Sequence, residues 1–183
     1  MAIRRLMILG VALAASAAGA ATSASAANAP EPAKPVDAQR LYVGIWREIG
    51  RRPMSLTDGC VAGATEYTME GANKVKVRDT CHTGVPSGPE KAIGGPATTT
   101  DPGTNAKLHV SYRFAGIIPV GRDYWILDHD DDYRWFISAD PSFENLWIYT
   151  RDPDVSPEMR QRLIDRAKAL GYDTSKLEFP AQP

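Results

Sequence analysis

Along the chain, short stretches recur in which apolar and polar side chains alternate. "GIWREIG", "VAGATEYT", "NKVKVRDTC", "KAIGGPATTT", "AKLHVSYRF", "DYWILDHD", "YRWFISA" and "NLWIYTR" follow one another from Gly44 to Arg151, with Gly, Pro, Asn and Asp in the gaps. A period of two puts successive side chains on opposite faces of a strand, so each stretch predicts a strand and the series predicts a sandwich or a barrel. A closed eight-stranded meander leaves no sheet edge open to aggregation. It also encloses an interior wide enough for one small ligand.

A different period appears near the C-terminus, in "VSPEMRQRLIDRAKALGYD". Ser156 suits the N-cap, Pro157 the first helical position, Glu158 the first turn and Gly171 the stop. Met159, Leu163, Arg166/Ala167 and Leu170 share one face, so this helix is expected to pack on the outside of the sheet. The short piece "KLEF" is a candidate final strand. The predicted fold is therefore all-β, an eight-stranded antiparallel up-and-down barrel with one C-terminal α-helix on its outside.

Residues 1–26 stand apart from this pattern. Arg4 and Arg5, an apolar run from Leu6 and small residues up to Ala24-Ser25-Ala26 read as a secretory signal peptide. The apolar run is mostly alanine and falls short of the roughly 20 residues of a spanning helix. Export to the periplasm or the medium is expected, with a soluble product after cleavage. No Cys precedes Cys60, so the product is not expected to be a lipoprotein. Residues 27–39 read as a Pro/Ala-rich extended leader and residues 40–183 as one domain. Cleavage leaves about 157 residues, enough for one real core.

Composition narrows the partners. With Arg4 and Arg5 set aside from the 21 basic residues, the 22 acidic ones are in slight excess and form no basic counter-stripe, which argues against nucleic acid. Two cysteines in an exported chain favour one disulfide. Cys60 and Cys81 flank the turn-like "MEGAN", and an antiparallel hairpin brings them opposite each other. The competing metal site or catalytic thiol lacks a partner cluster, since His82, His109 and His129 stand at no ligand-like spacing. No metal or cofactor is expected.

Three marks in order then carry a resemblance. Gly44-Ile45-Trp46 opens the first strand, "DHDDDY" with Asp130 and Tyr133 lies between the sixth and seventh, and Arg151 ends the eighth. In these marks, from about Leu41 to Phe179, the chain resembles the lipocalin family, in particular its bacterial outer-membrane lipocalin and apolipoprotein D branch. His129 stands where that pattern has Thr, and Arg47 where a Tyr often follows the Trp. The resemblance implies a ligand-binding barrel in which Gly44, Trp46, Asp130, Tyr133 and Arg151 are structural. Trp46 would plug the closed end, with the Arg151 guanidinium against its indole. It also implies carriage of a small hydrophobic ligand such as a fatty acid, a lysophospholipid or a related envelope lipid, with no covalent step.

Alternation alone assigns the cavity faces. Gly63, Thr65 and Tyr67 share one face, as do Leu108, Val110 and Tyr112; Trp125 with Leu127, and Tyr133 and Trp135 with Ile137, are the apolar-heavy choices later on. The candidate ligand-binding set is Glu48, Thr65, Tyr67, Leu108, Val110, Tyr112, Trp125 and Trp135, a greasy pocket with a few polar handles. Packing beneath the helix is the competing place for Trp135 and Trp147. Glu48 either orients a ligand or pairs with an arginine. An enzyme would need a tuned acid/base pair, but Glu48 and His109 have no visible partner, so no catalytic residue is assigned. A lipid-converting enzyme and a protein-binding module remain the alternatives. The apolar tip Ile117, Ile118 and Pro119 of "RFAGIIPVGR", expected at the closed end, is a candidate surface for a partner or a membrane.

Overall fold

The computed structural model describes residues 28–114 and 117–183; the expected signal peptide and its cleavage site lie outside the described residues. Eight strands, β1 (Gly44–Arg51), β2 (Cys60–Met69), β3 (Lys74–Thr83), β4 (Glu90–Thr99), β5 (Lys107–Phe114), β6 (Ile118–His129), β7 (Trp135–Ala139) and β8 (Leu146–Thr150), pair in chain order. Each neighbouring pair is antiparallel, and β8 returns to β1 to close the barrel. A short helix α1 (Ala38–Leu41) precedes β1, and α2 (Pro157–Ala169) follows β8. The all-β barrel with one C-terminal helix matches the sequence expectation.

One end of the barrel is sealed. The Trp46 side chain is fully buried, donates from Nε1 to the Leu41 carbonyl at 2.8 Å, and meets Phe136 edge-on. Arg151 lies 3.6 Å from the Trp46 ring centre while its guanidinium donates to the carbonyls of Arg40, Val43 and Ile45. One cation thus holds the plug and the incoming chain together. Gly44 is required there, because its φ of +66° disfavours any side chain and a Cβ would stand 3.5 Å from Arg151 Nη1. Tyr133 accepts from the Asp37 amide, Asp130 binds the Arg134 side chain, and Tyr42 donates to Asn105, closing the remaining gaps.

Strand direction alternates in an up-and-down meander, so the segments after β1, β3, β5 and β7 all emerge opposite Trp46. The β5–β6 tip with Ile117 and Ile118 therefore stands at the mouth, not at the closed end as the sequence reading had it. Leu56 and Val85, from two other mouth loops, are also exposed.

Alternation splits the apolar residues into two clusters. The lumen holds Trp46, Tyr67, Val75, Val77, Leu108, Val110, Tyr112, Ile126, Phe136, Trp147 and Tyr149. Outside, α2 lays Leu163 and Ala167 over Ile49, Leu127, Trp135, Ile137, Leu146 and Ile148. Ser156 caps α2 by accepting from the Met159 amide.

Three features were less legible. The residues ahead of β1 strap the barrel: Ala29 and Val36 are buried, and their amides donate to Pro141 and Thr104. Cys60 and Cys81 are bonded, Cα atoms 5.4 Å apart, yet not opposite. Cys60 pairs with Thr83, and Cys81 faces a bulge between Val61 and Ala64. The "KLEF" piece gives a single bridge, Glu178 with Arg51, instead of a strand.

That bridge closes a seam. β1 pairs with β2 only from Gly44 to Arg47, and beyond this the C-terminal segment fills the gap. Ala62 donates to Ala181, and Gln182 Nε2 to the Glu48 carbonyl. Arg51, 2% exposed, binds the seam from within: Nη1 to Glu48 at 2.6 Å, Nε to Glu178 at 2.7 Å and Nη2 to the Cys60 carbonyl at 2.7 Å.

Two variants probe these closures. Trp46→Ala is expected to lower stability by roughly 3–5 kcal/mol in chemical denaturation, because a large hole opens at a site with no room to collapse; an unchanged midpoint would refute the plug. Arg51→Met is expected to cost about 3–5 kcal/mol by leaving Glu48 buried without a cation, and Glu48→Gln in the same chain should recover most of that.

Candidate functional site

The lumen is not uniform along its axis. Toward the plug, Val75, Leu108, Ile126 and Phe136 are at most 1% exposed. Tyr112 and Trp147, toward the mouth ends of their strands, and Tyr67 and Tyr149, nearer the plug, keep 6–9% exposure, and Asp79, Ile93 and Tyr124 are only half-buried. The inward side chains thus pass from fully buried to slightly exposed, a gradient that follows from what the strands put at inward positions.

Strand β3 supplies the step between them. Its inward residues are Val75, Val77 and then Asp79, while Lys74, Lys76 and Arg78 face outward. Register places Asp79 between Thr65 of β2 and Ile93 of β4. Tyr112 of β5 donates its hydroxyl to Asp79 Oδ2 at 2.5 Å, and its oxygen lies 3.1 Å from that of Tyr124. The Tyr124 ring meets Trp147 edge-on at 5.3 Å. The Thr65 hydroxyl is buried without a hydrogen-bond partner.

A second carboxylate, Glu48, also points inward. Gly63 makes space for it, since a Cβ there would sit 2.6 Å from Glu48 Oε1. Its charge is answered by Arg51. Among the described residues no salt bridge includes Asp79.

Burial shapes the electrostatics. Desolvation raises the Asp79 carboxyl above its ordinary value, against the opposing hydrogen bond from Tyr112. Glu48 is raised by burial too, with Arg51 opposing. The phenols of Tyr67, Tyr112 and Tyr124 are pushed upward by burial and next by the Asp79 charge; Tyr149 is raised by burial, then Glu48, then Asp79. All four phenols stay neutral donors through the physiological range.

The candidate residues from the sequence divide cleanly. Glu48, Thr65, Tyr67, Leu108, Val110 and Tyr112 face the lumen, with Leu108 in the packed floor. Trp125 and Trp135 do not. Trp135 is buried under α2 with Arg166 over its ring, and Trp125 packs at the edge of the same outer cluster with Lys107 over its ring. Their strands are covered on both faces, so both faces are apolar and the larger side chain marks neither. The inward residues are Tyr124, Ile126, Phe136 and, from β8, Trp147 and Tyr149. Tyr133 precedes β7 at the closed end, stacked on His129. His109 is on the outer face beside Asp123, away from the lumen.

Sequence reasoning missed Asp79, Tyr124 and Tyr149. For Asp79 a signal existed: in "KVKVRD" the Asp is in phase with Val75 and Val77, four and two residues before it.

The raised carboxyls set a pH dependence. The folded state holds protons on Asp79 and Glu48 to a higher pH than the unfolded chain, so stability falls as pH rises from the ordinary carboxylate range through the folded values. Asp79→Asn removes one of these charges and keeps an acceptor for Tyr112. Thermal melts from pH 4 to 8 are expected to show a flatter profile and a higher neutral-pH melting temperature in this variant, by roughly 2–4 °C for each kcal/mol of relieved desolvation. An unchanged slope would show that Asp79 is well solvated.

Comparison with known proteins adds a second line of observation. A family model described as a lipocalin-like domain matches residues 36–182. Temperature-induced lipocalin-1 of Arabidopsis thaliana is 34% identical over 158 residues, spanning 83% of this chain and 82% of that protein. Outer membrane lipoprotein Blc of Citrobacter freundii is 31% identical over 160 residues, 84% and 87% of the two chains. Insecticyanin from the tobacco hornworm Manduca sexta shares the fold, with a TM-score of 0.67 at 18% identity over 84% of each chain. With that family model spanning α1, the barrel, α2 and the C-terminal segment, the chain belongs to the lipocalin family.

Proposed function

We propose that this protein is an exported carrier that holds a small hydrophobic molecule in the upper chamber of the barrel, without converting it. The observation that carries the reading is the gradient in the lumen: a packed floor, and above it a chamber lined by Tyr67, Tyr112, Tyr124, Trp147 and Tyr149 that remains in reach of solvent. Aromatic walls with a few convergent hydroxyls bind an apolar body and fix a polar end. Each buried methylene adds about 0.8 kcal/mol of affinity. Within the ligand-binding set, Thr65, Tyr67 and Tyr112 belong to the chamber wall, Val110 to its lower part, and Glu48 to the seam with Arg51.

A membrane amphiphile such as a lysophospholipid or a related envelope lipid is the ligand class of this reading, in keeping with a relative named an outer membrane lipoprotein. Export rests on residues 1–26 and on the Cys60–Cys81 bond, which suits an oxidising compartment. At the mouth, Leu56, Val85, Ile117 and Ile118 project from three loops. Contact of this rim with a membrane would let a lipid enter without crossing water.

Organic extraction of the purified protein followed by mass spectrometry is expected to release a bound amphiphile. Titration with such a ligand should change tryptophan fluorescence in Trp125→Phe and Trp135→Phe as in the parent, and lose most of the change in Trp147→Phe. A signal that survives Trp147→Phe and disappears with Trp135→Phe would place binding outside the barrel.

A further inference from the structure

The two carboxylates of the lumen are treated differently by the fold. Glu48 has Arg51 at 2.6 Å, a cation carried by its own strand. Asp79 accepts a hydrogen bond from the neutral Tyr112 phenol and has the Thr65 hydroxyl beside it, and among the described residues no Lys, Arg or His forms an ion pair with it. Around it stand the rings of Tyr67, Tyr112, Tyr124, Trp147 and Tyr149, all in the lumen cluster or packed on it. Opposite it across the β2–β3 pair, Thr65 Oγ1 is buried between Asp79 and Tyr67 without a hydrogen bond of good geometry. A carboxylate, a neighbouring hydroxyl and several aromatic walls, with no cation in ion-pair contact with the carboxylate, are complementary to an ammonium group.

We propose that the chamber takes a ligand with a basic nitrogen on an apolar body, the ammonium seated against Asp79 and within reach of Thr65. This rests on the carrier reading above and narrows it. The packed floor of Val75, Leu108, Ile126 and Phe136 stops the head at the level of Asp79. The apolar body then runs toward the mouth past Ile93 and Val120, which register places on the lumen side above and beside the aspartate.

A free fatty acid fits this chamber poorly in either direction. Head first, its carboxylate meets Asp79 as a like charge. Tail first, methylenes cover Asp79 and Thr65 and leave both without solvent or partner, which costs free energy that the ammonium would instead recover. A tail-first acid does have a place for its head, since Lys91, near the mouth end of β4, and Arg122, below Val120 on β6, are exposed at lumen-side register positions. The two arrangements therefore predict opposite head-group preferences.

The test titrates the full mature protein with dodecylamine, dodecanol and dodecanoic acid at neutral pH, below micellar concentrations, by calorimetry and tryptophan fluorescence. In the wild type the amine is expected to bind on the order of ten to a hundred times more tightly than the acid or the alcohol. Asp79→Asn should lose that factor for the amine relative to dodecanol, and a cooperative thermal melt of the variant reports that it is folded. An acid that binds as tightly as the amine, or an Asp79→Asn protein that keeps its amine affinity, overturns the inference and leaves the carrier reading standing. Failure of all three to bind overturns both.

Discussion

Everything in this molecule hangs on the closure made by Trp46 and Arg151. A sheet rolled into a barrel is a tube; one indole, buried to the last atom, turns it into a cup. Arg151 arrives from the end of β8 and binds three carbonyls of the segment entering β1, so the first and last strands are tied where the sheet must close. The guanidinium meets the ring with one face and the backbone with its edges, a double role that a lysine's point charge cannot fill. Because the meander alternates direction, fixing this end also decides which four loops surround the mouth.

The opposite half of the barrel is closed by other means. There β1 leaves β2, and the seam is filled by the C-terminal segment and by Arg51, which joins Glu48, Glu178 and the Cys60 carbonyl. A buried ion pair of this kind contributes little net stability over an apolar substitute, but it punishes loss of either partner. It therefore fixes the register of a joint that backbone pairing alone leaves open. The upper lumen lies beside this joint, so its walls are held by a disulfide, a salt bridge and a strap and not by ladder hydrogen bonds alone.

Asp79 is the polar centre of the upper lumen. The same low-dielectric surroundings that raise its carboxyl also keep the phenols around it neutral, and a neutral phenol can only share its charge, not cancel it. Glu48 shows that the fold can supply a cation to a lumen carboxylate; at Asp79 it supplies hydroxyls and rings.

The sequence by itself determined the strands, the outer helix, the closure residues and the family, because period-two alternation, capping residues and short motifs are local properties of the chain. The same alternation also carried Thr65, Tyr67 and Tyr112 to the lumen, since β2 and β5 have a polar outer face to contrast with the inner one. It failed at Trp125 and Trp135, where α2 covers the outside of β6 and β7 and both faces are apolar, so contrast between them vanishes. Only the tertiary structure decided which aromatic rings face the ligand chamber, that Cys60 meets Cys81 across a bulge, and that the C-terminal segment seals the barrel. Each of these depends on what packs from far along the chain, and no pattern within a single strand encodes that.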